Sequence, residues 1–131
     1  MQLVDNGEGR PRMSIRRVVP NIKAQHYAES RTFYTQFLGL DLAMDHGWIM
    51  TFITPDNPTA QISVLTADPS GLHPTLSVEV TDIETLYAKA VEAGLDIVYP
   101  VTDEPWGVRR FFVVDPNGMI INIVSHQAAN S

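Results

Sequence analysis

Apolar residues recur along this chain with two periods, and the periods alternate in a fixed order. From Ile15 to Ile22 an apolar run containing Pro20 predicts a strand, and the proline places it at an edge or a bulge because it cannot donate to a strand ladder. Tyr27, Arg31, Tyr34 and Leu38, with Ser30, Phe33 and Phe37 beside them, follow helical spacing, and Gly39 is placed to end that helix. Two short runs, Trp48 to Ile53 and Ala60 to Leu65, then read as a hairpin. A second helix follows the segment Pro69-Ser70-Gly71, which reads as a linker. Thr81-Asp82-Ile83-Glu84 fits a capping box, Ile83, Leu86, Tyr87, Ala90 and Val91 form one stripe, and Gly94 terminates it. Tyr99-Pro100 through Trp106-Gly107 reads as a long loop. A last hairpin pairs Arg109 to Val114 with Met119 to Val124 across the turn Asp115-Pro116-Asn117-Gly118.

The order is a repeat. Gly39-Leu40-Asp41-Leu42 returns as Gly94-Leu95-Asp96-Ile97, and the stretch Thr51 to Pro58 overlays Phe111 to Gly118 without a gap. The chain therefore reads as two βαβββ modules, about 14–66 and 73–126, within a single domain over 13–126. Residues 1–12 read as a flexible arm and 127–131 as a tail. Halves of this size are marginal alone, so they are expected to share a sheet or an interface, and function is expected on the surface between them.

Composition narrows the chemistry. With no cysteine among 131 residues, disulfides, thiolate metal sites and cysteine nucleophiles are excluded together. A net charge of −6 disfavours a nucleic-acid or anionic-membrane partner. No apolar run has membrane-spanning length and the N-terminus lacks a signal-like stretch, so a cytoplasmic location is expected.

Phe33-Tyr34 with Phe37-Leu38-Gly39-Leu40, then Ser77 to Asp82 opening the second helix, then Phe112 to Gly118 and a closing apolar strand, together resemble the vicinal oxygen chelate superfamily. That group includes glyoxalase I, extradiol dioxygenases, and fosfomycin- and bleomycin-resistance proteins. The resemblance implies an α+β fold in which tandem modules curl a mixed sheet into a cup. It also implies a homodimer and, in the enzymes, a divalent metal held by His, Glu or Gln on the first and last strands of each module. Carried over singly, those positions fall on Val19, on Ile62 or Ser63, on Thr75 and on Asn122. Valine, isoleucine, hydroxyls and a lone amide do not make a divalent site. His73, Glu79 and His46 are the nearest substitutes, and the six-residue separation of the first two is about 20 Å along a strand, too far to share an ion. No metal and no cofactor are expected, which points to the metal-lacking, bleomycin-resistance-like branch.

The cup is then expected to hold a small organic molecule. Strand alternation nominates Arg17 and Asn21 from the first strand, and Thr75, Ser77 and Glu79 from the first strand of module two. Pairing across the last turn adds Arg109, Phe111 and Asn122 from the last hairpin, with Val113 beside them and Phe112, Val114, Ile121 and Ile123 on the other face. Trp48 and Trp106 are candidates for stacking on a planar ligand. Glu79 is the one candidate catalytic residue: beside Arg17 or Arg109 it forms a structural ion pair, and without a cation it serves as a general base. His26 and His126 read as exposed. The alternatives are a lyase, isomerase or dioxygenase of the same superfamily, or an interaction domain whose cup is filled by its own side chains.

Overall fold

The computed structural model describes residues 13–126, and the expected arm and tail lie outside the described residues. Along the chain run β1 (Ile15–Lys23), α1 (Tyr27–Thr32), β2 (Asp41–Asp45), β3 (Ile49–Ile53), β4 (Gln61–Leu65), β5 (Leu76–Val80), α2 (Ile83–Glu92), β6 (Ile97–Asp103), β7 (Val108–Val114) and β8 (Ile120–His126). The strands form one eight-stranded sheet in the order β2-β3-β4-β1-β5-β8-β7-β6. In each half the first strand runs parallel to the last, and β1 joins β5 antiparallel with Val19 opposite Ser77. The expected α+β architecture of two βαβββ units in one curled sheet is therefore the observed one. Among the described residues no helix is long and apolar enough to cross a membrane.

Each unit packs its helix on the outer face of its own strands. In the first, Met50, Phe52 and Val64 are buried against Tyr27, Tyr34, Leu40 and Leu42. In the second, Val80, Ile83, Ala90, Phe111 and Ile123 form the buried cluster, with Leu86 and Tyr87 packed on it. Val91 is exposed, so the predicted stripe is narrower than read from the sequence. Asp82 caps α2, accepting hydrogen bonds from the Thr85 amide at 3.1 Å and hydroxyl at 2.6 Å, a role the sequence shared with Thr81. The first helix changes character midway. Phe33–Phe37 is a π turn in which the Leu38 amide bonds the Phe33 carbonyl, which turns Tyr34 inward and leaves Phe33, Phe37 and Leu38 exposed.

Two sequence expectations needed correction. The segment from Tyr99 to Asp103 is strand rather than loop. It forms the outer edge of the sheet, where a proline such as Pro100 costs no ladder bond, and its pairing with β7 shifts register twice. The ungapped overlay of the hairpins slips by one residue. Phe52 stacks on Tyr34 of the first helical segment and Phe111 on Tyr87 of α2, so Phe52 corresponds to Phe111 and not to Phe112. The strands of the second hairpin have seven residues each against five in the first, and its turn is shorter to match. A one-residue slip exchanges the two faces of a strand.

Candidate functional site

The concave face of the sheet encloses a cavity of about 340 Å³, within the range of about 300–1,000 Å³ usual for small-molecule sites. Alternation along β1 and β5 delivers Arg17, Val19, Asn21, Ser77 and Glu79 to it. From β7 and β8 come Val108, Arg110, Asn122 and Val124, because Arg110 is paired with Val124 and Phe112 with Asn122. The pairing expected across the last turn is one residue out of register and is corrected here. Arg109 and Phe111 lie on the convex face: Arg109 bridges Glu84 at 2.6 Å and Asp103 at 2.8 Å, and Phe111 is in the core beneath α2. Phe112, assigned outward from the sequence, belongs to the concave face with Asn122. Thr75 lies outside the cavity, its hydroxyl 3.6 Å from the sulfur of Met119, and Ser77 takes the place across from Val19. The first-module position expected at Ile62 or Ser63 falls instead on Gln61, which the β1–β4 register places beside Val19, while Ser63 faces the cup beside Asn21.

A polar row crosses the floor. Thr51 and Ser63 share a hydrogen bond of 2.8 Å, and both Asn21 and Asn122 donate to the Ser77 hydroxyl, at 2.9 and 3.0 Å. The Oδ1 atom of Asn122 is buried without a partner. At one end of the floor Glu79 is buried under basic groups. Its carboxylate lies 2.6 Å from Arg17 Nε, 3.5 Å from Arg16 Nε and 2.9 Å from His126 Nδ1. The Arg17 contact is close but too poorly aligned for a hydrogen bond, so its attraction is ionic. His126, expected only to be exposed, is 63% exposed yet reaches Glu79 and the cup rim.

Two strands across from Glu79, on the far side of Val124, stands a buried ion cluster that was not read from the sequence. Arg110 donates to both oxygens of Asp68 at 3.0 and 2.9 Å and, through Nε, to Glu104 at 2.7 Å. The three side chains are 4%, 2% and 8% exposed. Burial pushes the Asp68 carboxyl up, but the bonds from Arg110 and Ser70 outweigh it and hold it below the ordinary carboxylate value. Burial likewise opposes the charge of Arg110, and the two carboxylates more than restore it, raising its pKa. Tyr99 donates to Glu104 at 2.7 Å. Burial, then that bond, raises the Tyr99 pKa and keeps it a donor. Arg110 was missed because Phe112, two positions along the same face, had been assigned outward.

The two tryptophans meet beside this cluster, with ring centroids 5.5 Å apart and planes at 64°. Each sits in a turn whose glycine takes positive φ, Gly47 at 88° and Gly107 at 95°. The first turn is held by Asp45, which accepts from the Gly47 amide at 2.8 Å and the Tyr27 hydroxyl at 3.2 Å. Burial, then the nearby Asp45 charge, pushes the Tyr27 pKa up to about 12, so it remains a donor at any ordinary pH. In the second turn the Gly107 amide bonds the Glu104 carbonyl at 3.1 Å. The Arg110 guanidinium lies 5.1 Å from the Trp106 ring and 4.8 Å from Phe112, which fixes the indole from below.

The residues do not fit the divalent ion that the architecture carries in enzymes. Across the junction the cup presents Val19, Ser77 and Asn122, and the β1–β4 register extended by two residues adds Gln61. Of these only Gln61 is a residue type that the resemblance implied as a ligand, and two amides beside a valine and a serine supply neither the charge nor the imidazoles a divalent ion requires. The substitutes fail on position: His73 is bound to the Asn21 carbonyl at 2.9 Å, His46 is exposed in the β2–β3 turn, and Glu79 is held by its cations. Among the described residues no group of three or more His, Asp or Glu side chains is arranged to hold an ion.

The Glyoxalase/Bleomycin resistance protein/Dioxygenase superfamily profile matches residues 16–123. The chain belongs to that superfamily. Among solved structures, a superfamily member from Vibrio splendidus 12B01 has 20% identity and a TM-score of 0.65, with 86% of this chain and 99% of that one covered. Methylmalonyl-CoA epimerase from Mycobacterium tuberculosis has 17% identity and a TM-score of 0.67 over 88% and 89%. An NAD-dependent benzaldehyde dehydrogenase from Legionella pneumophila has 16% identity and a TM-score of 0.68 over 84% and 99%. At these identities the superfamily fold is what is shared. Among curated proteins none matches in sequence.

Proposed function

We propose that this protein binds a small organic molecule in the cup without a metal ion, as a member of the bleomycin-resistance-like branch of its superfamily. The observation that carries this reading is the floor itself: a concave cavity keeps the architecture of a metal site while Val19, Gln61, Ser77 and Asn122 occupy its centre. The apolar walls and paired indoles suit a planar body, and the hydroxyls and amides suit its polar edge. No cofactor enters the proposal.

An enzymatic reading draws less support. Glu79, the candidate base, lies under Arg17, Arg16 and His126, and Arg109 is on the far side of the sheet, bound to Glu84 and Asp103. A homodimer belongs to the same proposal. Ile15, Val18 and Ile22 are exposed, and alternation places Val18 and Ile22 on the convex side of β1. Sedimentation velocity tests that part, and a monomer at micromolar concentration refutes it.

Both tryptophans of the chain line the cup, so all of the indole fluorescence reports on it. Chelator-treated protein is expected to bind aromatic ligands saturably with a change in that fluorescence, and the affinity is expected to be unaltered by added divalent ions. Binding that appears only when a stoichiometric metal is restored overturns the proposal.

A further inference from the structure

We propose that the ligand of this cup carries an oxyanion, a carboxylate or a phosphate, seated against Arg16 and Arg17 at the edge of the floor beside Glu79. This rests on the reading of the cup as a binding site and adds the charge of what it takes. Next to the cup the structure has a second, more open recess of about 460 Å³, whose lining includes Arg16, Arg17, Glu79, Ser125 and His126. Arg17, Glu79 and His126 line the cup as well. The two spaces therefore meet at these three side chains, and one molecule can occupy both.

Charge is unevenly matched where they meet. Arg110 takes two carboxylates, Asp68 and Glu104, and Arg109 takes Glu84 and Asp103. Arg16 and Arg17 share a single one, Glu79. Two arginines against one carboxylate leave a positive excess on a chain whose net charge is −6, and protonation of His126 adds to it. The nearest acids along the chain, Asp82 and Glu84, are bound to Thr85 and to Arg109.

The same arginines have donors to give. Both meet Glu79 through Nε, at 3.5 and 2.6 Å, and neither guanidinium makes a hydrogen bond with any described residue. A guanidinium has five N–H donors and no acceptor, and its planar fork matches the paired oxygens of a carboxylate or phosphate. The Glu79 side chain is 7% exposed, against 55% for Arg16 and 25% for Arg17, so an anion entering from the recess meets the guanidinium groups before the carboxylate. Arg17 and Glu79 stand two residues along their strands from Val19 and Ser77, which face each other at the centre of the floor, a separation of about 7 Å. A ring system lying on that centre therefore brings a substituent on its edge to Arg17.

Equilibrium dialysis against four probes built on one ring system tests the assignment: naphthalene, naphthalene-2-carboxylate, 2-naphthyl phosphate and 2-naphthylmethylammonium. The better of the two anions is expected to bind about tenfold or more tightly than naphthalene, the equivalent of about 1.4 kcal/mol, and identifies the oxyanion; the ammonium is expected to bind more weakly than naphthalene. Arg16→Gln, at an exposed position, is expected to lower the ratio of anion to naphthalene affinity about threefold. Glu79→Gln, which removes the competing carboxylate, is expected to raise that ratio. Equal binding of naphthalene and both anions, a preference for the ammonium, or a ratio unmoved by both substitutions overturns the oxyanion assignment and leaves the binding site standing. Absence of saturable binding by every probe overturns the binding reading and the assignment with it.

Discussion

Removal of the guanidinium at Arg110 separates the proposed roles of the two adjacent arginines. Arg110→Met keeps most of the side-chain volume but leaves Asp68 and Glu104 buried without their cation. Arg110 makes three charge-assisted bonds at 2.7–3.0 Å. Charges about 4 Å apart attract by about 4 kcal/mol at an effective dielectric of about 20, and breaking such a buried group by removing one partner costs about 3–5 kcal/mol. Set against a stability of about 5–15 kcal/mol, that is a large fraction. In urea, with a slope of about 2 kcal/mol per M, the midpoint is expected to fall by about 2 M at pH 7.

The pH dependence has a definite sign. In the native protein the Asp68 pKa lies below its ordinary 3.8, so its contribution is present above that value and is lost as pH falls through the folded pKa. In the variant only the Ser70 bonds still oppose burial, the largest influence on this carboxyl, which then drives it upward, so the variant regains stability as pH falls. The deficit relative to the native chain is therefore expected to be largest near pH 8 and to narrow toward pH 4. Asp68→Asn with Glu104→Gln in the Arg110→Met background removes the uncompensated charges, and is expected to recover most of the loss. A loss below about 1 kcal/mol at pH 7, or a triple variant as unstable as the single one, refutes the cluster as a buried ionic clasp.

Arg109→Ala, on the convex face, is expected to cost at most about 1 kcal/mol in urea unfolding and to leave ligand affinity unchanged; weakened binding would return it to the cup. Phe111→Ala is expected to destabilise by about 3–5 kcal/mol through loss of the core under α2. Its ligand preference, measured at a temperature where the variant is folded, is expected to match that of the native chain. Trp106→Ala removes the contacts with Trp48 and Arg110, together worth about 1–3 kcal/mol. Dialysis with planar aromatic probes is expected to give affinities lowered about tenfold, and Trp106→Phe is expected to retain most of the affinity.

The doubling of the fold was legible because both helices end at glycines that need positive φ, Gly39 at 79° and Gly94 at 69°, and because each is followed by a strand with the same opening residues. Face assignment in β7 was not legible, because nothing in the turn Asp115-Pro116-Asn117-Gly118 fixes which residue of β7 stands opposite Asn122; the strands pair with Phe112 there, one residue from the pairing expected. That slip exchanged Arg109 for Arg110. Asp68 and Glu104 were hidden for a further reason. Each lies outside a strand, in the linker or the β6–β7 turn, and it is the approach of the two modules that buries them on Arg110. The edge strand around Pro100 was read as loop because proline counts against a strand in sequence, whereas a sheet edge accepts it. Arg17, Asn21, Ser77, Glu79 and Asn122 were placed on the concave face by simple alternation, which works where register is unambiguous.

Titration of chelator-treated protein with a planar aromatic, followed through the fluorescence of Trp48 and Trp106, tests the metal-free cup most directly. The account predicts a saturable change with one site per chain, unchanged when divalent ions are supplied. No saturable response without metal, and its appearance with one equivalent of a divalent ion, would contradict it.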